Sequence, residues 1–288
     1  TRRQDPDGRV STYQYNAVSQ MTLADYPDDD LTYGYDAAGN LIAVTGTQAS
    51  LVYTYNQANQ PTDVAITIAG LTGVKHIRYT YYADGQRETM TDPDGGVTRY
   101  TYDVKGRIRT IANPAGQVVT YTFSAAGWLT RKDLGNGTYE SYTYDQARQL
   151  LSLTQYKANA TVLAGFTYTY DALGNRTSER REDGSLVTYS YDANSRLIGA
   201  VYSGTATANL QYAYDSAGNR IQMQSGITTT NYTYDQAGHL LAAGADTYRW
   251  DKSGDLVGKV SAGSVTSYTV DSRHRLTGVT TGGQNTTF

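Results

Sequence analysis

The chain has 288 residues, with 24 basic against 27 acidic side chains and no cysteine. A net charge of −3 gives no electrostatic drive towards nucleic acid or an anionic membrane, no run approaches the length of a membrane helix, and the missing cysteines exclude disulfides, thiolate metal sites and cysteine nucleophiles. Leu, Ile, Val and Phe together make only about 17% of the chain, whereas tyrosine reaches 28 residues, so tyrosine must replace part of the usual aliphatic core.

From the N-terminus, a pair of aromatic residues spaced by one position recurs to the other end. The pairs are Tyr13 and Tyr15, Tyr33 and Tyr35, Tyr53 and Tyr55, Tyr79 and Tyr81, Tyr100 and Tyr102, Tyr121 and Phe123, Tyr142 and Tyr144, Tyr168 and Tyr170, Tyr189 and Tyr191, Tyr212 and Tyr214, Tyr232 and Tyr234, Tyr248 and Trp250, and Tyr268 with Val270. These thirteen copies hold 23 of the 28 tyrosines, at spacings of 16 to 26 residues that centre near 21. A period of this size marks a stacked-repeat architecture. Asp or Asn follows most pairs, as at Asp36, Asp103, Asp145, Asp171, Asp192, Asp215, Asp235 and Asp251. Glycine stands three residues later at Gly39, Gly85, Gly106, Gly127, Gly174, Gly218, Gly238 and Gly254. A β-prone run comes next, then a second turn such as Asp92-Pro93-Asp94-Gly95, Asn113-Pro114-Ala115-Gly116 or Glu182-Asp183-Gly184.

Residues i and i+2 of a strand project from one face, so both aromatics of each pair share a face. Asp and Asn favour local side-chain turns, glycine supplies positive φ and proline presets the first corner, so both turn sites read as hairpins. The pattern predicts an all-β chain of about 26 antiparallel strands, two per repeat, in one continuous array over 1–288. Each repeat is too small to bury its own face and leans on its neighbours. Connecting loops are expected to absorb the variation in spacing, and the open sheet edges predict self-association.

The aspartates recur once per repeat at a turn position, which points to turn chemistry and away from paired catalytic carboxylates. The calcium-binding nonapeptide of β-rolls is absent, and Asp28-Asp29-Asp30 reads as a solvated loop. Three histidines, His76, His239 and His274, give no metal cluster, and no nucleophile elbow accompanies the serines. Catalytic, cofactor-binding and metal residues are therefore expected to be none. Aromatic faces stack on sugar rings, so the off-pattern Tyr26, Tyr139, Tyr156, Tyr202 and Trp128 carry an alternative reading as a glycan-binding or adhesion module.

Tyr168-Thr169-Tyr170-Asp171-Ala172-Leu173-Gly174-Asn175-Arg176 and Tyr33-Gly34-Tyr35-Asp36-Ala37-Ala38-Gly39-Asn40-Leu41 resemble the YD repeats of the Rhs family. The resemblance implies a long hairpin strip that spirals into a hollow shell. In bacterial Rhs and Tc toxins such a shell encloses a C-terminal toxic domain, and in animal teneurins it supports adhesion. It further implies a non-enzymatic role, secretion or a cell-surface location in bacteria, and as partners the remaining shell segments and an enclosed toxin. Repeat character runs from Tyr13 to Tyr268, so the expectation is a segment of shell wall with no separate toxin or delivery domain.

Overall fold

The structure, a computed structural model, describes residues 1–204 and 207–288. Among the described residues there are 28 strands and no helix. In each described pairing a strand lies antiparallel to its neighbour in sequence, as connections of only a few residues require. The excess over about 26 comes from two short end strands. Arg2–Gln4 pairs with the first tyrosine strand, Val10–Tyr15, and Gln284–Thr287 pairs with the last return strand, Leu276–Thr281. The chain divides into two compact units, Thr1–Thr101 with Tyr248–Phe288, and Tyr102–Thr247.

The pleat sorts the side chains by face. In the tyrosine strand Ala49–Tyr55, Leu51, Tyr53 and Tyr55 are half-buried while Val52 and Thr54 are exposed. Strands Val97–Tyr102 and Leu186–Tyr191 show the same alternation at their tyrosines. The opposite face is rich in hydroxyls that pair across strands, with Thr80 to Thr89 at 2.7 Å, Thr143 to Ser152 at 2.6 Å and Thr169 to Ser178 at 2.6 Å.

Few of the described residues are fully buried. The buried apolar residues among those described are Ala24, Val64, Val187 and Ala200, and no large side chain is fully enclosed. The accessible surface is 17630 Å², against about 12,000 Å² expected for a globular monomer of this mass. Stability therefore rests on backbone ladders and on contacts between successive repeats.

Two features depart from the simple repeat. The insertions lengthen strands as well as loops: the return strand Pro61–Ile68 has 8 residues and the tyrosine strand Val162–Tyr170 has 9. Adding residues to both arms of a hairpin preserves the pleat and its facing pairs, which a longer loop alone would not use. The short spacing before Trp250 arises because Ala243 pairs directly with Asp246, leaving a two-residue turn. In addition, the register slips at the second aromatic of each described tyrosine hairpin, for example between Gly34 and Tyr35, Thr122 and Phe123, and Ser190 and Tyr191. This is a β-bulge repeated once per copy.

Candidate functional site

The turn after each tyrosine pair has one geometry. In the Asp36 turn, Asp36 N donates to Asn40 O at 3.0 Å, Gly39 N donates to Asp36 O at 3.0 Å, and the Asp36 carboxylate accepts Asn40 N at 2.8 Å and Asn40 Nδ2 at 2.9 Å. The residue three places after the turn Asp or its equivalent has positive φ in all thirteen copies. Eight are glycines, and Ser19, Asn59, Arg148, Ser195 and His274 fill the other five, with φ from 58 to 67°. Asn40, through its side-chain hydrogen bond to Asp36, holds that carboxyl below its ordinary 3.8, and Arg107 does the same for Asp103. The polar residue four places after the turn aspartate (Asn40, Arg107, Asn175, Arg196, Asn219, His239) is a repeat feature that the sequence pattern displayed and the motif omitted.

The bulge explains the second tyrosine. A bulge leaves a carbonyl outside the regular ladder, and the tyrosine of the next repeat caps it. Tyr35 Oη donates to Met21 O, Tyr55 to Leu41 O, Tyr81 to Pro61 O, Tyr170 to Leu150 O, Tyr191 to Arg176 O, Tyr214 to Leu197 O and Tyr234 to Arg220 O, all at 2.8–2.9 Å. Each acceptor opens a return strand and faces the second aromatic of its own copy. The hydroxyl is thus a tie between consecutive repeats, and the ring fills the pleat above it.

Arginines interleave the rings on this face. The Arg176 guanidinium lies 5.2 Å from the Tyr168 ring and 5.4 Å from Tyr189, and Arg220 sits 5.6 Å from Tyr212 and 4.5 Å from Tyr232. Desolvation raises the phenol pKa of Tyr168, Tyr189 and Tyr212. Glu140 occupies a place that is Leu31, Leu51, Val119, Phe166 or Val187 in other copies. It accepts from Tyr142 and lies 3.4 Å from Lys132 Nζ; burial and then Glu140 push the Tyr142 phenol well up.

Within the first unit, turns far apart in sequence meet. The Asp7 carboxylate accepts Lys252 N at 3.2 Å and Ser253 N at 2.8 Å, and Arg9 Nη1 donates to Asp271 O at 3.2 Å. Asp28 accepts Ser272 N at 2.7 Å and the Ser272 hydroxyl, and Asp29 pairs with Arg273. This corrects the reading of Asp28-Asp29-Asp30 as a solvated loop at Asp29, while Asp28 and Asp30 are exposed and Asp30 opens a strand. Asp29 is 9% exposed, because Thr47 N and Oγ1 at 3.1 and 2.7 Å and the Arg273 guanidinium replace its water.

The three histidines lie apart, each against one aspartate: His76 on Asp63, His239 on Asp235 and His274 on Asp255. Among the described residues no group of His, Asp and Glu could hold a metal ion. Of the off-pattern aromatics, Tyr26, Trp128, Tyr139 and Tyr156 are engaged with other rings or cations. Tyr139 stacks on Tyr156 at 4.6 Å, Trp128 meets Tyr144 edge-on at 5.6 Å, Tyr26 meets Tyr13 at 6.1 Å, and Arg131 lies 3.7 Å over Tyr139.

The sequence profile of the family described as Teneurin YD-shell matches residues 182–287, and that of RHS Repeat matches 81–118 and 103–139. No curated protein matches the sequence. Among solved structures, the Tc holotoxin pore of Photorhabdus luminescens superposes with a TM-score of 0.70 at 18% identity over 94% of this chain and 18% of that one. A TcdB2-TccC3-Cdc42 structure gives 0.70 at 19% identity over 98% of this chain and 19% of that one, and TcdB2-TccC3 without its hypervariable C-terminal region gives 0.67 at 17% over 99% and 18%. At such identities the likeness is one of fold, and the chain spans under a fifth of the length of these toxin chains.

Proposed function

Because the chain belongs to the Rhs/YD-repeat family, we propose that it is a non-enzymatic segment of shell wall that helps to enclose a C-terminal toxin or effector in a secreted or cell-surface bacterial protein. The observation that carries this reading is the way the aromatic face is used. Seven of the thirteen copies use a second-position hydroxyl to tie themselves to the repeat before, and the turn aspartates are committed to their own hairpins. That is the chemistry of a barrier, in which side chains join neighbours along a strip instead of converging on a substrate. Among the described residues, the open concavity between the Asp215 and Asp235 turns is lined mostly by residues of those two turns, whose aspartates are bonded to their own hairpins.

The test is protease protection in the longer protein that contains this segment. The polypeptide C-terminal to the repeats is expected to resist digestion while the wall is intact, and to become cleavable when Tyr170→Ser and Tyr191→Ser remove two inter-repeat ties. Equal digestion with and without those changes would remove the barrier reading. The adhesion or glycan-binding alternative has weaker support, since a sugar platform needs open ring faces and Tyr139 and Tyr156 stack on each other.

A further inference from the structure

The turn after a tyrosine pair leaves one backbone donor unused. In the Asp-x-x-Gly hairpin the aspartate and glycine amides bond across the turn, and the carboxylate takes the amides two and four residues on. The amide immediately after the aspartate has no place in that scheme. On Ala37 and Ala172 it has no partner among the described residues. In two turns of the first unit this amide is occupied, each time by an aspartate from a distant turn: Lys252 N by Asp7 at 3.2 Å and Ser272 N by Asp28 at 2.7 Å. Both incoming aspartates directly follow a proline, in Asp5-Pro6-Asp7-Gly8 and Tyr26-Pro27-Asp28-Asp29. Proline at the first corner fixes φ and leaves the next side chain at the tip of the turn.

We propose that the tyrosine-side turn opened by aspartate, Asp-x-x-Gly at 251–254 and Asp-x-x-His at 271–274, is a carboxylate receptor and the Pro-Asp turn its ligand, and that this pairing sets the register in which one row of turns lies against another. Asp7 engages the turn at 251–254 and Asp28 the turn at 271–274. The two aspartates are 21 residues apart and their receptor amides, on Lys252 and Ser272, are 20 apart, so both sides advance by one repeat. Arg9 and Arg273 flank the contacts. Arg9 Nη2 lies 3.8 and 3.6 Å from Asp251 and Asp255, and Arg273 pairs with Asp29. A slip by one residue would turn Asp7 and Asp28 away from both amides at once. The inference stands on these contacts and does not require that the wall enclose a cargo.

The chain supplies its own control. Asp92-Pro93-Asp94-Gly95 repeats the sequence of the Asp7 turn and closes with the same hydrogen bonds, Asp92 N to Gly96 O at 2.9 Å and Gly95 N to Asp92 O at 3.0 Å, but Asp94 lies exposed and meets no distant turn among the described residues. Hydrogen exchange of the whole 288-residue chain, followed at the Lys252 and Ser272 amides, tests the idea. Asp7→Ala is expected to speed exchange at Lys252 by about tenfold and Asp28→Ala to do so at Ser272, the loss of a charge-assisted hydrogen bond at a partly exposed site. Asp7→Asn, which keeps an acceptor oxygen, should restore part of the protection, and Asp94→Ala should change neither amide. Unchanged exchange in both alanine variants, or equal acceleration by Asp94→Ala, would overturn the proposal. Circular dichroism on the same samples separates loss of this docking from loss of the repeat fold.

Discussion

At the scale of single residues, the hydroxyl and the ring of the second tyrosine have separable roles. Tyr81→Phe removes the bond to Pro61 O at 2.8 Å and keeps the ring. It should lower stability by about 1 kcal/mol in a urea titration, whereas Tyr81→Ala should cost about 2 kcal/mol or more, because the half-buried ring also leaves the pleat. The turn carboxylates predict the acid response. Asp36, Asp103, Asp171 and Asp215 sit below their ordinary 3.8 when folded. Their contribution is complete above that value and is lost as pH falls through the lower folded values. The urea midpoint should therefore be level from neutrality to about pH 5 and fall below about pH 4; a midpoint that stays level down to about pH 2 would remove the turn carboxylates from the acid response.

At the scale of the element, the hairpin turn carries a conformational demand that most copies meet with glycine. Ser19 meets it at φ 63°. Ser19→Gly should raise stability by about 0.5–1 kcal/mol, read as a higher thermal midpoint, since an L-residue pays a penalty in the left-handed region. The repeat is also the unit of modularity. Removing residues 118–138 takes out one tyrosine strand, one return strand and two turns, 21 residues in all, and joins Gln117 to Tyr139, which holds the place of Val118. The shortened chain should keep a β-rich circular dichroism spectrum and a cooperative transition, because contacts run mainly between neighbours; a disordered spectrum would sink the modular account.

At the scale of the molecule, the end strands Arg2–Gln4 and Gln284–Thr287 each pair on one side among the described residues, leaving ladder groups open. The mass from sedimentation is expected to rise with concentration as these edges pair, and a constant monomer mass across the range would show that they are protected.

The sequence by itself determined the hairpin repeat, the shared face of the tyrosines and the place of both turns, because these follow from period-2 geometry and local turn chemistry within about twenty residues. It did not display the bulge at each second aromatic, since register depends on how two strands meet, and so it left the hydroxyls of Tyr35, Tyr55 and Tyr81 without their carbonyl partners. It read Asp29 as solvated for the same reason: of Thr47 and Arg273, which replace its water, Arg273 lies more than 240 positions away. Only the tertiary structure decides which turns meet, because that choice depends on the twist accumulated over many strands and on the carboxylates that fit the turns they reach.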